Sequence, residues 1–101
     1  MVTRAKKEKG SPLTKRELRA ITRAISDPRR FEILRHIAEA ESCAACTELR
    51  TSFPISAATL SHHLKELESA GLITTLRRGK FLDTTFSRRT WQAYLAELQK
   101  L

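Results

Sequence analysis

Apolar positions recur at helical spacing along most of the chain. Leu18, Ile21 and Ile25 lie three and four residues apart. Thr14 and Glu17 ahead of them form a Thr-x-x-Glu capping box, which predicts a first helix from near Thr14. Asp27-Pro28 opens a second helix: Asp27 accepts from free amides, and Pro28 suits a first turn whose N–H has no partner. Its expected buried stripe is Phe31, Leu34, Ile37 and Ala38. A short third helix is predicted over part of Ser42 to Ser52. It is broken at Phe53-Pro54-Ile55, because Pro54 disfavours helical geometry in the residue before it. A fourth helix is capped by Ser56 and ends at Ala70, with Gly71 as a left-handed stop. Leu72 to Arg78 and Lys80 to Phe86 are rich in Ile, Thr, Leu and Phe and read as two strands meeting at Arg78-Gly79. Ser87 caps a last helix with Trp91, Tyr94, Leu95, Leu98 and Leu101 along one side.

This order predicts a mainly α protein with a small β-hairpin, in the layout of a winged helix-turn-helix. Residues 13–101 form one domain, preceded by a flexible basic arm at residues 1–12, where Gly10-Ser11-Pro12 punctuates the end. A length of 101 residues suits one modest core, and a hydrophobic share of 41% suits a folded chain. No apolar run approaches the roughly 18 residues of a membrane span, and no apolar stretch follows the basic N-terminus as in a secretory signal. Two cysteines cannot build a disulfide framework, so a cytoplasmic location is expected.

The net charge of +8 is unevenly placed. Residues 1–30 hold ten Lys/Arg against three acids, residues 31–76 three against six, and residues 77–101 six against two. Positive charge gathered toward the chain ends is the footprint of a phosphate-binding surface, although a solvated basic surface has the same composition.

The helix at Ser56 to Ala70 decides between these. On a helical wheel Leu60, Leu64 and Leu67 share one face, and Ala58, Ser61, His62, Lys65 and Ser69 the opposite one. Ser56, Ala57 and Thr59 lie at its N-terminal end. Apolar residues lock such a helix to the body, while small and polar ones let it lie deep in the major groove of double-stranded DNA. His62 points outward, toward base edges or phosphates. His63 lies beside the leucines and is expected to pack there with a local hydrogen bond. Neighbouring helical residues diverge by about 100°, so the two histidines make a poor metal clamp. Arg77, Arg78 and Lys80 surround Gly79 at the hairpin tip, placed for the DNA backbone or minor groove.

Three segments together carry a family resemblance: Ile25-Ser-Asp-Pro-Arg-Arg-Phe-Glu-Ile-Leu34, Thr59-Leu-Ser-His-His-Leu-Lys-Glu-Leu67 and Ala70-Gly-Leu-Ile73. Over about residues 18–90 the chain resembles the ArsR/SmtB family of small winged-helix transcriptional repressors. The resemblance implies a homodimer built from the first and last helices, operator binding through the helix at Ser56 to Ala70, and often release by a metal, a metalloid or a redox signal. The apolar side of the last helix supports the dimer independently, since such a stripe packs against something. Leu18, Ile21, Trp91, Tyr94, Leu95 and Leu98 are its expected interface. Ala57 and Ala58 stand where relatives often carry polar residues, which shifts base reading onto Thr59, Ser61 and His62. The last helix has no histidine and one acid, Glu97, so the interfacial zinc site of some relatives is not expected.

Cys43 and Cys46 are the candidate metal or redox residues. Arsenic- and lead-sensing relatives space their thiols Cys-x-Cys ahead of an acid-Leu pair; aligning on Glu48-Leu49 puts Ala45 and Thr47 at those places, out of register with Cys43 and Cys46. On one helix, residues three apart have Cβ atoms about 5–6 Å apart, which would let the two thiols share a soft ion or form a disulfide after distortion. The favoured alternative makes Cys46 a small core residue and Cys43 a loop or helix-end thiol. No cofactor is required. There is no phosphate-cradling glycine loop, HExxH or nucleophile triad, so an enzyme is not expected. The competing reading is a winged helix that docks proteins; it would expose large apolar groups at Ala58, Ser61, His62 and Lys65.

Overall fold

The computed structural model describes residues 13–40 and 44–101. The basic arm at 1–12, Cys43 and the start of the predicted third helix lie outside the described residues. Among the described residues, five helices and three strands follow in order: α1 (Lys15–Ile25), α2 (Pro28–Glu39), β1 (Ala44–Ala45), α3 (Cys46–Ser52), α4 (Ala57–Ser69), β2 (Ile73–Arg78), β3 (Phe81–Phe86) and α5 (Arg88–Gln99).

The helix starts follow from side-chain caps. Thr14 Oγ1 accepts from the Glu17 amide at 3.0 Å, and Glu17 Oε1 accepts from the Thr14 amide at 2.9 Å, completing the capping box of α1. Asp27 Oδ1 accepts from the Arg30 amide at 3.0 Å ahead of Pro28. That hydrogen bond holds the Asp27 carboxyl below the ordinary carboxylate value. Ser56 and Ser87 cap α4 and α5 in the same way.

Four helices and a three-stranded antiparallel sheet of order β1-β3-β2 enclose one core around α4. Ile21 of α1, Ile33 and Ile37 of α2, Leu49 of α3, and Leu60 and Leu67 of α4 are fully buried, with Leu72 and Ile73 at the base of the hairpin. The inward stripe of α2 is Ile33, Leu34 and Ile37; the expected Phe31 and Ala38 are only half-buried at its edges. The strand β1 is absent from the sequence expectation. Ala44 and Ala45 pair with Thr84 and Asp83 of β3, and the buried Thr84 hydroxyl donates to the Ala44 carbonyl at 2.9 Å. The third helix accordingly begins only at Cys46.

Leu72 ties three elements together: its amide donates to the Leu67 carbonyl at 3.0 Å and its carbonyl accepts from the Ser87 amide at 2.9 Å. This geometry needs the chain to reverse at Gly71, which has φ +80°. An added Cβ there would meet only Thr90, at 3.7 Å, an ordinary contact. Gly71→Ala therefore carries only the backbone cost, about 1 kcal/mol. Thermal unfolding should fall by roughly 4–8 °C for that amount in a domain of this size; an unchanged midpoint contradicts this reading of the turn. Among the described residues no helix is long and apolar enough to cross a membrane.

Candidate nucleic-acid interface

The two faces of α4 are divided as the wheel predicts. Leu60, Leu64 and Leu67 are buried; Ala57, Ala58, Thr59, Ser61, His62, Lys65 and Ser69 are exposed. At its start, Ser56 Oγ accepts from the Thr59 amide at 3.1 Å and donates to Thr59 Oγ1 at 3.0 Å. Ser56 is thereby committed to the cap, while the Thr59 hydroxyl keeps its own hydrogen to donate outward. Ala57 and Ala58 leave the positive end of the helix dipole sterically open to a phosphate or a base edge.

His63 sits on the core side, 7% exposed, and its Nδ1 accepts from Arg30 Nε at 3.2 Å. Burial is the first cause, and the Arg30 charge the second, that push His63 below its ordinary value of 6.5. Arg30 was not among the sequence candidates. The signal for it was indirect: a histidine facing leucines needs a polar partner.

The hairpin lies beside α4 and is fixed to it by Thr75, whose hydroxyl donates to Glu68 Oε2 at 2.9 Å. Arg78 pairs with Phe81 across the strands, leaving Gly79-Lys80 as a two-residue turn with φ +62° at Gly79, the position where II′ hairpin turns take glycine. The three cations are not equivalent. Arg78 Nε donates to Asp83 Oδ2 at 2.7 Å, and its Nη2 contacts the same oxygen. Arg77 projects from the opposite face of β2, and Lys80 occupies the tip. Among the described residues neither has an ion pair, so the free wing charge belongs to them rather than to Arg78.

The expected dimer residues separate into two groups. Ile21 is 0% exposed and Tyr94 4%, so both belong to the chain's own core and offer a partner no surface. The Tyr94 hydroxyl meets Thr22 Oγ1 at 3.0 Å, fastening α5 onto α1. Trp91 is half-buried between Phe86 and Tyr94, with ring centroids 6.4 and 5.7 Å away. Leu18 is also half-buried. Leu95 and Leu98 remain 39% and 43% exposed, with Leu101 beyond them at the same end of the molecule.

Cys46 is a half-buried free thiol in the first turn of α3. Ala44 and Ala45 before it are extended rather than helical, and Cys43 lies outside the described residues. Among the described residues no group of three His, Cys, Asp or Glu side chains is gathered as a metal site.

A helix-turn-helix domain family matches residues 25–75. The chain is 42% identical over 64 residues to an arsenical resistance operon repressor of Staphylococcus xylosus, a stretch covering 63% of this chain and 60% of that repressor's length. The homologous repressor of Staphylococcus aureus is 41% identical over the same extent. Among solved structures, an ArsR-like transcriptional regulator from Rhodococcus sp. RHA1 superposes with a TM-score of 0.74 at 25% identity, covering 84% of this chain and 78% of that one. Matched motifs, the α4 geometry and the shared architecture lead to one assignment: the chain belongs to the helix-turn-helix family, within its ArsR-like winged-helix group.

Proposed function

We propose that the protein is a dimeric transcriptional repressor that reads the major groove of double-stranded DNA with α4 and contacts the backbone or minor groove with the wing. The exposed face of α4 carries this reading. It presents Thr59, Ser61, His62 and Lys65 behind two alanines, with its opposite face locked into the core. The protein-docking alternative needs large apolar groups on that face, and none of these residues is one. The names of the Staphylococcus relatives support repression. A cytoplasmic location goes with this reading, and a reducing compartment would keep Cys46 a thiol in the resting state.

The dimer is assigned to the exposed end of α5, Leu95, Leu98 and Leu101, with Leu18 and Trp91 at its margin. A twofold dimer reads a palindromic operator whose half-sites lie about 34–36 Å apart, one turn of the duplex. The relatives' name makes a trivalent metalloid the first effector to test, with Cys46 and Cys43 as the available thiols.

The test is fluorescence anisotropy of the reduced protein on DNA from its own promoter and on a scrambled duplex, at two salt concentrations. His62→Ala should weaken the promoter complex by about 1–3 kcal/mol and the scrambled complex less. Arg77→Ala should weaken both alike and reduce the salt slope by about 1. Arg78→Ala should have the smaller effect on that slope, because its charge is already engaged by Asp83. Equal losses on both duplexes for His62→Ala would remove it from base reading. Repeating the titration with arsenite, zinc and a mild oxidant identifies the effector, and loss of the response in Cys46→Ser assigns it to that thiol.

A further inference from the structure

The recognition helix is held to the body by more than leucines. His63 is the one polar residue on its buried side, and it faces the corner where α1 turns into α2. Arg30 fills that corner. Its backbone amide donates to Asp27 Oδ1 at 3.0 Å, its Nη1 to the Ala24 carbonyl at 3.2 Å, and its Nε to His63 Nδ1 at 3.2 Å. The guanidinium thus joins the end of α1 to the middle of α4, while the backbone of the same residue holds the cap of α2.

The last of these bonds has a chemical condition. A guanidinium has only hydrogens to offer, so Nδ1 must present a lone pair. The ring must then be neutral, with its proton on Nε2. Adding a proton from solvent to Nδ1 removes the acceptor and turns the pair into two facing cations. Arg29 adds further positive charge around the ring, and among the described residues Asp27 opposes it.

We propose that Arg30 and His63 are a proton-sensitive positioning pair, which seats the recognition helix for sequence reading when His63 is neutral and loosens it when His63 is protonated. This rests on the DNA-reading role of α4. It gives His63 a different task from His62, which faces outward. Positive charge on the outward face strengthens attraction to any DNA, whereas protonating His63 degrades the fit to one sequence. The two effects therefore separate in the ratio of promoter to scrambled affinity.

Folding lowers the proton affinity of His63. Its stabilising contribution is complete above the ordinary value of 6.5 and is lost as pH falls through the lower folded value.

The experiment measures that ratio from about pH 7.5 to about pH 5. Nitrogen-15 spectra of the imidazoles and urea unfolding are followed over the same range. In the wild type the ratio should fall as pH drops below the ordinary value of 6.5, and unfolding should become easier. His63→Asn keeps an oxygen acceptor at the γ branch but has nothing to titrate, so its ratio should stay flat. Arg30→Met should have a low ratio at every pH. The spectra of the wild type should place the His63 proton on Nε2 at pH 7.5. A proton on Nδ1 there, a flat wild-type ratio, or an equal fall in His63→Asn would overturn the proposal. If promoter and scrambled DNA bind alike at pH 7.5, the DNA reading itself has failed; the spectra and the unfolding profile still report separately whether the Arg30–His63 bond depends on the proton.

Discussion

Ala58→Glu should cost more than about a hundredfold in promoter affinity while leaving the protein at least as stable as the wild type. Ala58 is the second residue of α4 and is exposed, with the helix capped beside it by Ser56. A carboxylate in the first turn of a helix is favourable, typically by 0.3–1 kcal/mol, because it faces the positive end of the dipole. The same carboxylate would point into a groove walled by phosphates, where a like charge costs several kcal/mol. Opposite signs for stability and binding make the variant diagnostic. Urea unfolding and anisotropy on one preparation read both. Equal binding by wild type and Ala58→Glu would place the DNA contact elsewhere on the molecule.

The second large effect belongs to the far end of the chain. Leu95→Glu combined with Leu98→Glu should yield monomers at micromolar concentration and remove most of the operator affinity. Burying a leucine fully stabilises by about 1.5–3 kcal/mol, and these two are already partly covered, so each contributes less than that. A twofold interface counts each side chain twice, and four carboxylates brought together would add repulsion. Losing the link between two half-site contacts removes an avidity of about 10²–10⁴. The monomer should still fold, because Ile21 and Tyr94 lie in the chain's own core and Tyr94 stays bonded to Thr22. Light scattering with circular dichroism checks both statements. A variant that remains dimeric would move the interface away from α5.

The boundaries of the helices were readable because they are chemical. Thr14, Asp27, Ser56 and Ser87 each stand where a helix begins, and each does so by accepting a backbone hydrogen. The division of α4 was readable because a 3.6-residue period survives in any fold that buries one face. The strand β1 was not, since two alanines carry no strand preference of their own. They are extended because the free edge of β3 takes them as partners. A stripe also does not say which surface it covers. Ile21 and Tyr94 sit among residues of apparent dimer character, yet both face inward, and the Thr22–Tyr94 bond joins positions 72 apart in the chain. The pairing of Arg78 with Asp83 likewise depends on strand register, which sets who lies diagonal to whom. The candidate site was therefore readable as a set of residues, while their division into free and engaged charges belongs to the tertiary structure.

Whether α4 and the wing are the DNA-reading surface is tested most directly by an NMR titration of nitrogen-15-labelled protein with a duplex from its own promoter. The amides perturbed most should cluster at Ala57–Lys65 and around Arg77–Lys80, while those of Leu95–Leu101 keep their positions. Perturbations concentrated on α5, or on any surface that leaves the exposed face of α4 unaffected, would contradict that reading.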